Sequence, residues 1–251
     1  MILLLGGTRE SREIAKLLQQ EKIKHIISTV SDYGGQLAEE ISENVHREVL
    51  EYDRLLEFCR QQNITTIIDA THPFAKNISL NAIKTAGVLA IKYLRFERKT
   101  MTYPDNPLIR IVSDMDEAAA QAENLGKKIL LTIGSKQLTF FQKLITRKEV
   151  YVRILPDLDS LHRCFSLGLQ PQQIIAMQGP FSKEFNQLLI KEKQIEVVVS
   201  KESGQIGGLD AKLTACLELN IPLIVITKPQ IPYPRIVYEY EKVLQEVSDE
   251  L

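Results

Sequence analysis

"MILLLGGTRESREIA" (residues 1–15) decides how the rest of the chain is read. An apolar run from Ile2 to Leu5 meets Gly6-Gly7-Thr8, and apolar residues then recur at Ile14, Leu17 and Leu18. The run suits a strand buried on both faces, and the later spacing suits a helix laid against it. A strand, a glycine turn and a helix are the parts of a phosphate grip. Glycines admit close backbone approach, and the helix start offers unpaired N–H groups and the positive end of its dipole. The order here is G-G-T-R-E-S, a partial match to the dinucleotide pattern G-x-G-x-x-G.

Outward from this unit the same alternation repeats. Strands are expected at 24–30, 65–70 and 89–96, with helices at 52–62 and 75–87, the latter stopped by Gly87. "ERKTMTYPDNPL" (97–108) breaks the rhythm with two prolines and no periodicity, and reads as a linker. Helices at 114–126, 138–146, 157–168, 182–193 and 209–220 then alternate with strands at 127–134, 149–156, 172–179, 195–203 and 221–229, and a helix over 235–251 closes the chain. The fold class is α/β: two tandem Rossmann-like domains, 1–100 and 101–251, with parallel sheets and a ligand cleft between them.

Composition narrows the function. The chain has 251 residues, 44% hydrophobic and 25% charged, enough to bury a core. A net charge of −1 gives no electrostatic case for nucleic acid or an anionic membrane. Cys59, Cys164 and Cys216 lie far apart, which fits neither a metal site nor a disulfide framework and suits a reducing, cytoplasmic setting. "MILLL" is short for a signal segment, and no stretch approaches the ~20 apolar residues of a membrane span.

Candidate site residues gather at strand ends. The second strand ends Ser28-Thr29-Val30-Ser31 without the acid that holds an NAD ribose, Asp32 lying just beyond, while Arg9 follows the glycine turn as a partner for a 2′-phosphate; NADP is favoured over NAD. "DATHPFAKNIS" (69–79) puts Asp69, Thr71 and His72 at the ligand-binding edge of the sheet, with His72 the candidate proton donor. His25, His46 and His162 read as structural or surface residues. In the second half, "TIGSKQ" (132–137), "AMQGPFS" (176–182) and "SKESGQIGGLDAK" (200–212) end strands in small or polar groups. The last carries Lys201, Ser203, Gly204, Gly207, Gly208 and Lys212, a loop suited to an anion but without the order of an ATPase phosphate loop.

Taken together, "LLLGGTRESREIA", "DATHPFA", "RFER" (95–98), "LTIGSKQL", "VRILP", "AMQGPFS" and "SKESGQIGGLDAKL", in this order, resemble the precorrin-6A reductase family of cobalamin biosynthesis, over residues 1 to about 229. The resemblance implies NADPH-dependent reduction of a ring double bond in precorrin-6A, or its cobalt-containing form, to precorrin-6B. It implies cofactor contacts at Gly6, Gly7, Thr8, Arg9, Ser28, Thr71, His72, Ser135, Lys201, Ser203 and Gly204. For the carboxylates of a tetrapyrrole it implies Arg95, Arg98, Lys136, Arg153 and Lys212, with Gly207 and Gly208 lining the same site. The chain departs from the family after "RFER", where "KTMTYPDNP" stands in place of a Pro and a Trp. Another NADP-dependent reductase or epimerase on this fold, or a two-domain binding protein for a small anion, are the alternatives. Monomer and homodimer both remain open.

Overall fold

The computed structural model describes residues 1–99, 101–204 and 207–248. Thr100, Gln205, Ile206 and residues 249–251, which fall in the expected linker, glycine loop and closing helix, lie outside them. The apolar strand runs fold the chain into two units, Met1–Lys99 with Pro229–Leu251, and Thr100–Lys228.

The first unit opens with β1 (Ile2–Leu5), α1 (Arg9–Gln20), β2 (His25–Ser28), α2 (Asp32–Glu39), β3 (Val45–His46), α3 (Tyr52–Gln61), β4 (Thr66–Asp69), α4 (Lys76–Leu89) and β5 (Lys92–Phe96). The second unit runs β6 (Ile109–Val112), α5 (Met115–Leu125), β7 (Lys128–Thr132), a 3₁₀ turn (Ser135–Phe141), α6 (Gln142–Arg147), β8 (Glu149–Ile154), α7 (Leu158–Ser166), β9 (Ile174–Ala176), α8 (Lys183–Glu192), β10 (Val197–Lys201), α9 (Leu209–Glu218) and β11 (Leu223–Ile226). The chain then returns to the first unit as β12 (Ile236–Val237) and α10 (Tyr240–Ser248). The two sheets, β12-β5-β4-β1-β2-β3 and β6-β11-β10-β7-β8-β9, each have six strands, and every pairing is parallel.

Strand alternation sends β1 into two cores. Ile2 and Leu4 join Ile14 and Leu18 of α1 and Val243 and Val247 of α10. Leu3 and Leu5 join Leu55 and Cys59 of α3 and Ala82 and Ala86 of α4. With both faces covered, each such leucine contributes about 1.5–3 kcal/mol of burial, which is why β1 is apolar without interruption. In the second unit Leu130, Val198 and Val225 pack under Ile190, Leu213 and Cys216 of α8 and α9. Parallel register aligns the strand ends: Leu5 pairs with Ser28 and with Asp69, and Thr132 with Ser200. The residues that follow these pairs form the edge where open α/β sheets bind ligands.

Several expectations need correction. The closing segment is not one helix of a second domain over 101–251. Residues 236–237 pair with Arg95 and Phe96 of β5, and α10 packs on α1. Gly87 lies inside α4, and the helix ends at Ala90, which takes the left-handed conformation (φ 52). The helix expected at 138–146 begins as a 3₁₀ turn. Among the described residues, no helix is long and apolar enough to cross a membrane.

Candidate functional site

The glycine turn shows why each of its residues stands there. A Cβ on Gly6 would lie 3.0 Å from Ser11 Oγ and 3.4 Å from the Ser28 carbonyl oxygen, so the turn passes close to α1 and β2 only without a side chain. Gly7 has φ +95, and a Cβ there would meet nothing within 4 Å, so its outer side is open for backbone approach. Thr8 caps α1. Its Oγ1 accepts from Ser11 N–H (3.1 Å) and donates to the Ala70 carbonyl (2.8 Å), which spends the hydroxyl on joining the tips of β1 and β4. Arg9 is exposed and Ser28 buried. The turn, the open side at Gly7 and the start of α1 fit a pyrophosphate.

Beyond β4 the groups are internally satisfied. Asp69 is fully buried and pairs with Arg95 (2.8 Å), which also meets Glu97 (3.3 Å). Burial alone would raise the Asp69 carboxyl. The Arg95 charge and hydroxyl bonds from Ser79, Thr71 and Tyr93 outweigh it and hold Asp69 below its ordinary value. Burial would lower Arg95, but Asp69 and Glu97 hold it raised. Arg98 pairs with Glu10 of α1 (2.6 Å). The two arginines expected to meet substrate carboxylates are therefore already matched to carboxylates of their own unit. His72 is half-buried, and its Nδ1 accepts the Phe74 backbone N–H (3.2 Å). A ring accepting at Nδ1 carries its neutral-form proton on Nε2.

The second unit is built the other way. Lys212, on α9, is 6% exposed and donates to Ser200 Oγ (2.7 Å) and Thr132 Oγ1 (3.1 Å), both neutral. Burial, with the nearby charges of Arg153 and Lys201, pushes it down to about 7. Arg153 is 8% exposed, donates to Asn186 Oδ1 (2.9 Å) and lies 4.2 Å from the centre of the Phe181 ring. Burial pushes it down to about 10. Lys201 donates to Gln137 Oε1 (3.4 Å), and burial followed by Lys136 pushes it down to about 8. Among the described residues no carboxylate pairs with Lys212 or Arg153. Lys136 is exposed.

Around these cations, Gly134 (φ 80) leads into Ser135, whose Oγ meets Ser160 Oγ (3.0 Å), itself bonded to Asp157 (2.8 Å). A Cβ on Gly207 would fall 2.3 Å from Ser203, and Gly208 (φ 69) caps α9, so the loop after β10 needs both glycines. Ser135, Lys201, Ser203 and Gly204, expected as cofactor contacts, lie in this second unit; Arg95 and Arg98, expected against substrate, lie in the first.

Four participants lacked a sequence signal of their own. Glu10 and Glu97 are buried acids that absorb the arginine charges. Glu202 beside Lys201 is buried and accepts from Tyr103 OH (3.3 Å) and the Lys228 backbone N–H (3.1 Å). Thr29, at the tip of β2, is 3% exposed, with an Oγ1 that has no hydrogen-bond partner in the structure.

Fold and strand-end chemistry define a two-unit parallel α/β protein with a glycine turn after the first strand of one unit and a cluster of buried cations in the other. The match is to the family "Precorrin-6x reductase CbiJ/CobK", over residues 1–248, and the chain belongs to it. It is 39% identical to the cobalt-precorrin-6A reductase of Methanocaldococcus jannaschii, over 93% of this chain and 92% of that one. It is 37% identical to the cobalt-precorrin-6A reductase of Priestia megaterium, over 97% and 96%. The solved structure of the CobK precorrin-6A reductase superposes with a TM-score of 0.83 at 25% identity, covering 99% of this chain and 96% of that one. Membership makes the chain an oxidoreductase and sets aside the non-enzymatic alternative.

Proposed function

We propose that the chain reduces a ring double bond of precorrin-6A or cobalt-precorrin-6A, with NADPH bound by the first unit and the tetrapyrrole carboxylates by the second. The observation that carries this reading is the uncompensated positive interior around Lys212 and Arg153. Burying a cation without a counter-ion is costly, and a ligand rich in carboxylates relieves that cost when it binds. Arg153 stacked on Phe181 and Lys212 fixed by two hydroxyls are anchored in advance, so little side-chain freedom is lost on binding.

The nicotinamide supplies the hydride when bound. This chain's own groups do the rest: Gly6 and Gly7 let the backbone reach the pyrophosphate, Arg9 faces the 2′-phosphate, and His72 is the candidate proton donor. A titration with NADPH and then NADH, followed by nicotinamide fluorescence, tests the reading. Preference for NADPH, followed by turnover of precorrin-6A with or without cobalt, is the expected result. Binding of neither nucleotide up to about millimolar, the weak end of specific affinity, removes the role assigned to the glycine turn.

A further inference from the structure

The polar interior of the first unit converges on one carboxylate. Asp69 Oδ1 accepts from the Thr71 backbone N–H (3.0 Å), Thr71 Oγ1 (2.6 Å) and Arg95 Nη1 (2.8 Å); Oδ2 accepts from Ser79 Oγ (2.6 Å) and Tyr93 OH (2.7 Å). The Thr71 hydroxyl also accepts from Arg95 Nη1 (3.2 Å). The Thr71 N–H and hydroxyl and Arg95 Nη1 are thus committed inside the protein, while Thr71 and Arg95 also line a small pocket with Glu10, Glu97 and Arg98.

The destination of these bonds matters. A buried ion pair seldom stabilises more than a well-packed apolar pair of the same size, so holding β4 to β5 does not require it. Three of the six bonds end on Thr71, in the loop between β4 and α4 that carries His72. The same loop is tied to the glycine turn through Thr8 Oγ1 and the Ala70 carbonyl (2.8 Å). In sheets of this order the pyrophosphate meets the turn after β1 and the adenosine ribose lies toward the tip of β2, so the nicotinamide half falls over β4 and β5.

We propose that Asp69, acting through the Thr71 hydroxyl, is a positioning residue that sets the 70–74 loop and the His72 ring for the nicotinamide half of the cofactor. This rests on the reading of the first unit as the cofactor unit. The Thr71 hydroxyl then acts as a support of the site, held between Asp69 and Arg95.

Thr71→Val tests this, because it removes the hydroxyl, keeps the side-chain shape and leaves the Asp69–Arg95 pair in place. The expected kcat for precorrin-6A reduction falls about 10- to 100-fold, the scale of a small misplacement of reacting groups. The NADPH Kd, from nicotinamide fluorescence, stays within about threefold. In the cofactor-free protein the His72 imidazole NMR signal shifts, while those of His25, His46 and His162 stay put. Thr71→Ser, which restores the hydroxyl, returns both kcat and the His72 signal. Asp69→Asn shows the same kcat loss with a lower Tm.

Three results overturn the proposal: Thr71→Val with normal kcat and an unmoved His72 signal; Thr71→Ser as defective as Thr71→Val; or kcat and NADPH affinity falling together, which makes the hydroxyl a direct cofactor contact. If the unmodified protein binds no NADPH, the cofactor reading itself has failed. The His72 signal and its rescue then decide alone whether Asp69 places the loop.

Discussion

The two units share one sheet order and treat buried charge in opposite ways. Around β4 and β5 of the first, Arg95 answers Asp69 and Glu97, and Arg98 answers Glu10. Around β7, β8 and β10 of the second, Lys212 and Arg153 have only hydroxyl, amide and ring partners among the described residues. A closed charge network serves geometry. An open one stores an electrostatic cost that an anion from outside can relieve.

The largest expected effect is on stability. Arg95→Met strands a buried carboxylate and should cost about 3–5 kcal/mol in urea unfolding, whereas Lys212→Met removes a buried charge that has no counter-ion among the described residues and should leave stability unchanged or raised. Equal losses would erase the contrast. Function should reverse the ranking for Lys212. Its methionine variant should raise the KM for the tetrapyrrole about 10-fold or more, the worth of a charged hydrogen bond, with NADPH affinity unchanged.

Acid and base should separate the units as well. Asp69 is held below its ordinary value of 3.8, so its contribution is present at neutral pH and is lost as pH falls below that value. Lys212 is depressed from 10.5 to about 7. The unfolded chain then binds the extra proton between those values, so this term makes stability rise as pH climbs from about 7 toward 10.5. Unfolding midpoints measured across that range should show the rise in the unmodified protein and lose part of it in Lys212→Met; an identical slope in both would mean Lys212 is not the titrating group. Tetrapyrrole affinity should fall as pH rises through about 7 and then about 8, where Lys212 and Lys201 of the folded protein give up their protons.

Smaller effects sharpen the first unit. Gly7→Ala forces a side chain into φ +95 and should cost about 1–2 kcal/mol in Tm-based stability, with weaker NADPH binding. Arg9→Ala, on an exposed residue, should weaken NADPH about two- to fivefold and leave NADH unchanged, as measured by the same fluorescence titration. Equal effects on both nucleotides would take the 2′-phosphate away from Arg9.

What the sequence made legible follows burial. Strands covered on both faces read as continuous apolar runs, so β1, β4, β7, β8, β10 and β11 were apparent, as was the glycine turn. β6 was hidden because its middle residues, Arg110 and Ile111, are exposed on an edge strand. α2 carries Gly34 and Gly35 in its first turns, which weakens its helical signal. β12 sits in "RIVYEYEKVLQEV", whose local spacing favours helix; its strand character comes from pairing Ile236 with Arg95, a contact no local window contains. The site divides along the same line. Basic residues near strand ends were visible as candidates. Whether each was spent internally depended on partners such as Glu10, 88 positions from Arg98.

The return of β12 to β5 also sets an order of events during synthesis. Arg95 and Phe96 wait for Ile236 and Val237, and the α1 face of the first sheet waits for Val243 and Val247 of α10. A ribosome releasing the chain from its N-terminus makes everything from Thr100 to Lys228, the whole second unit, before the first unit has its last strand. The half that begins first is therefore completed last, and until then β5 presents an unpaired edge that a chaperone or a stray strand can reach.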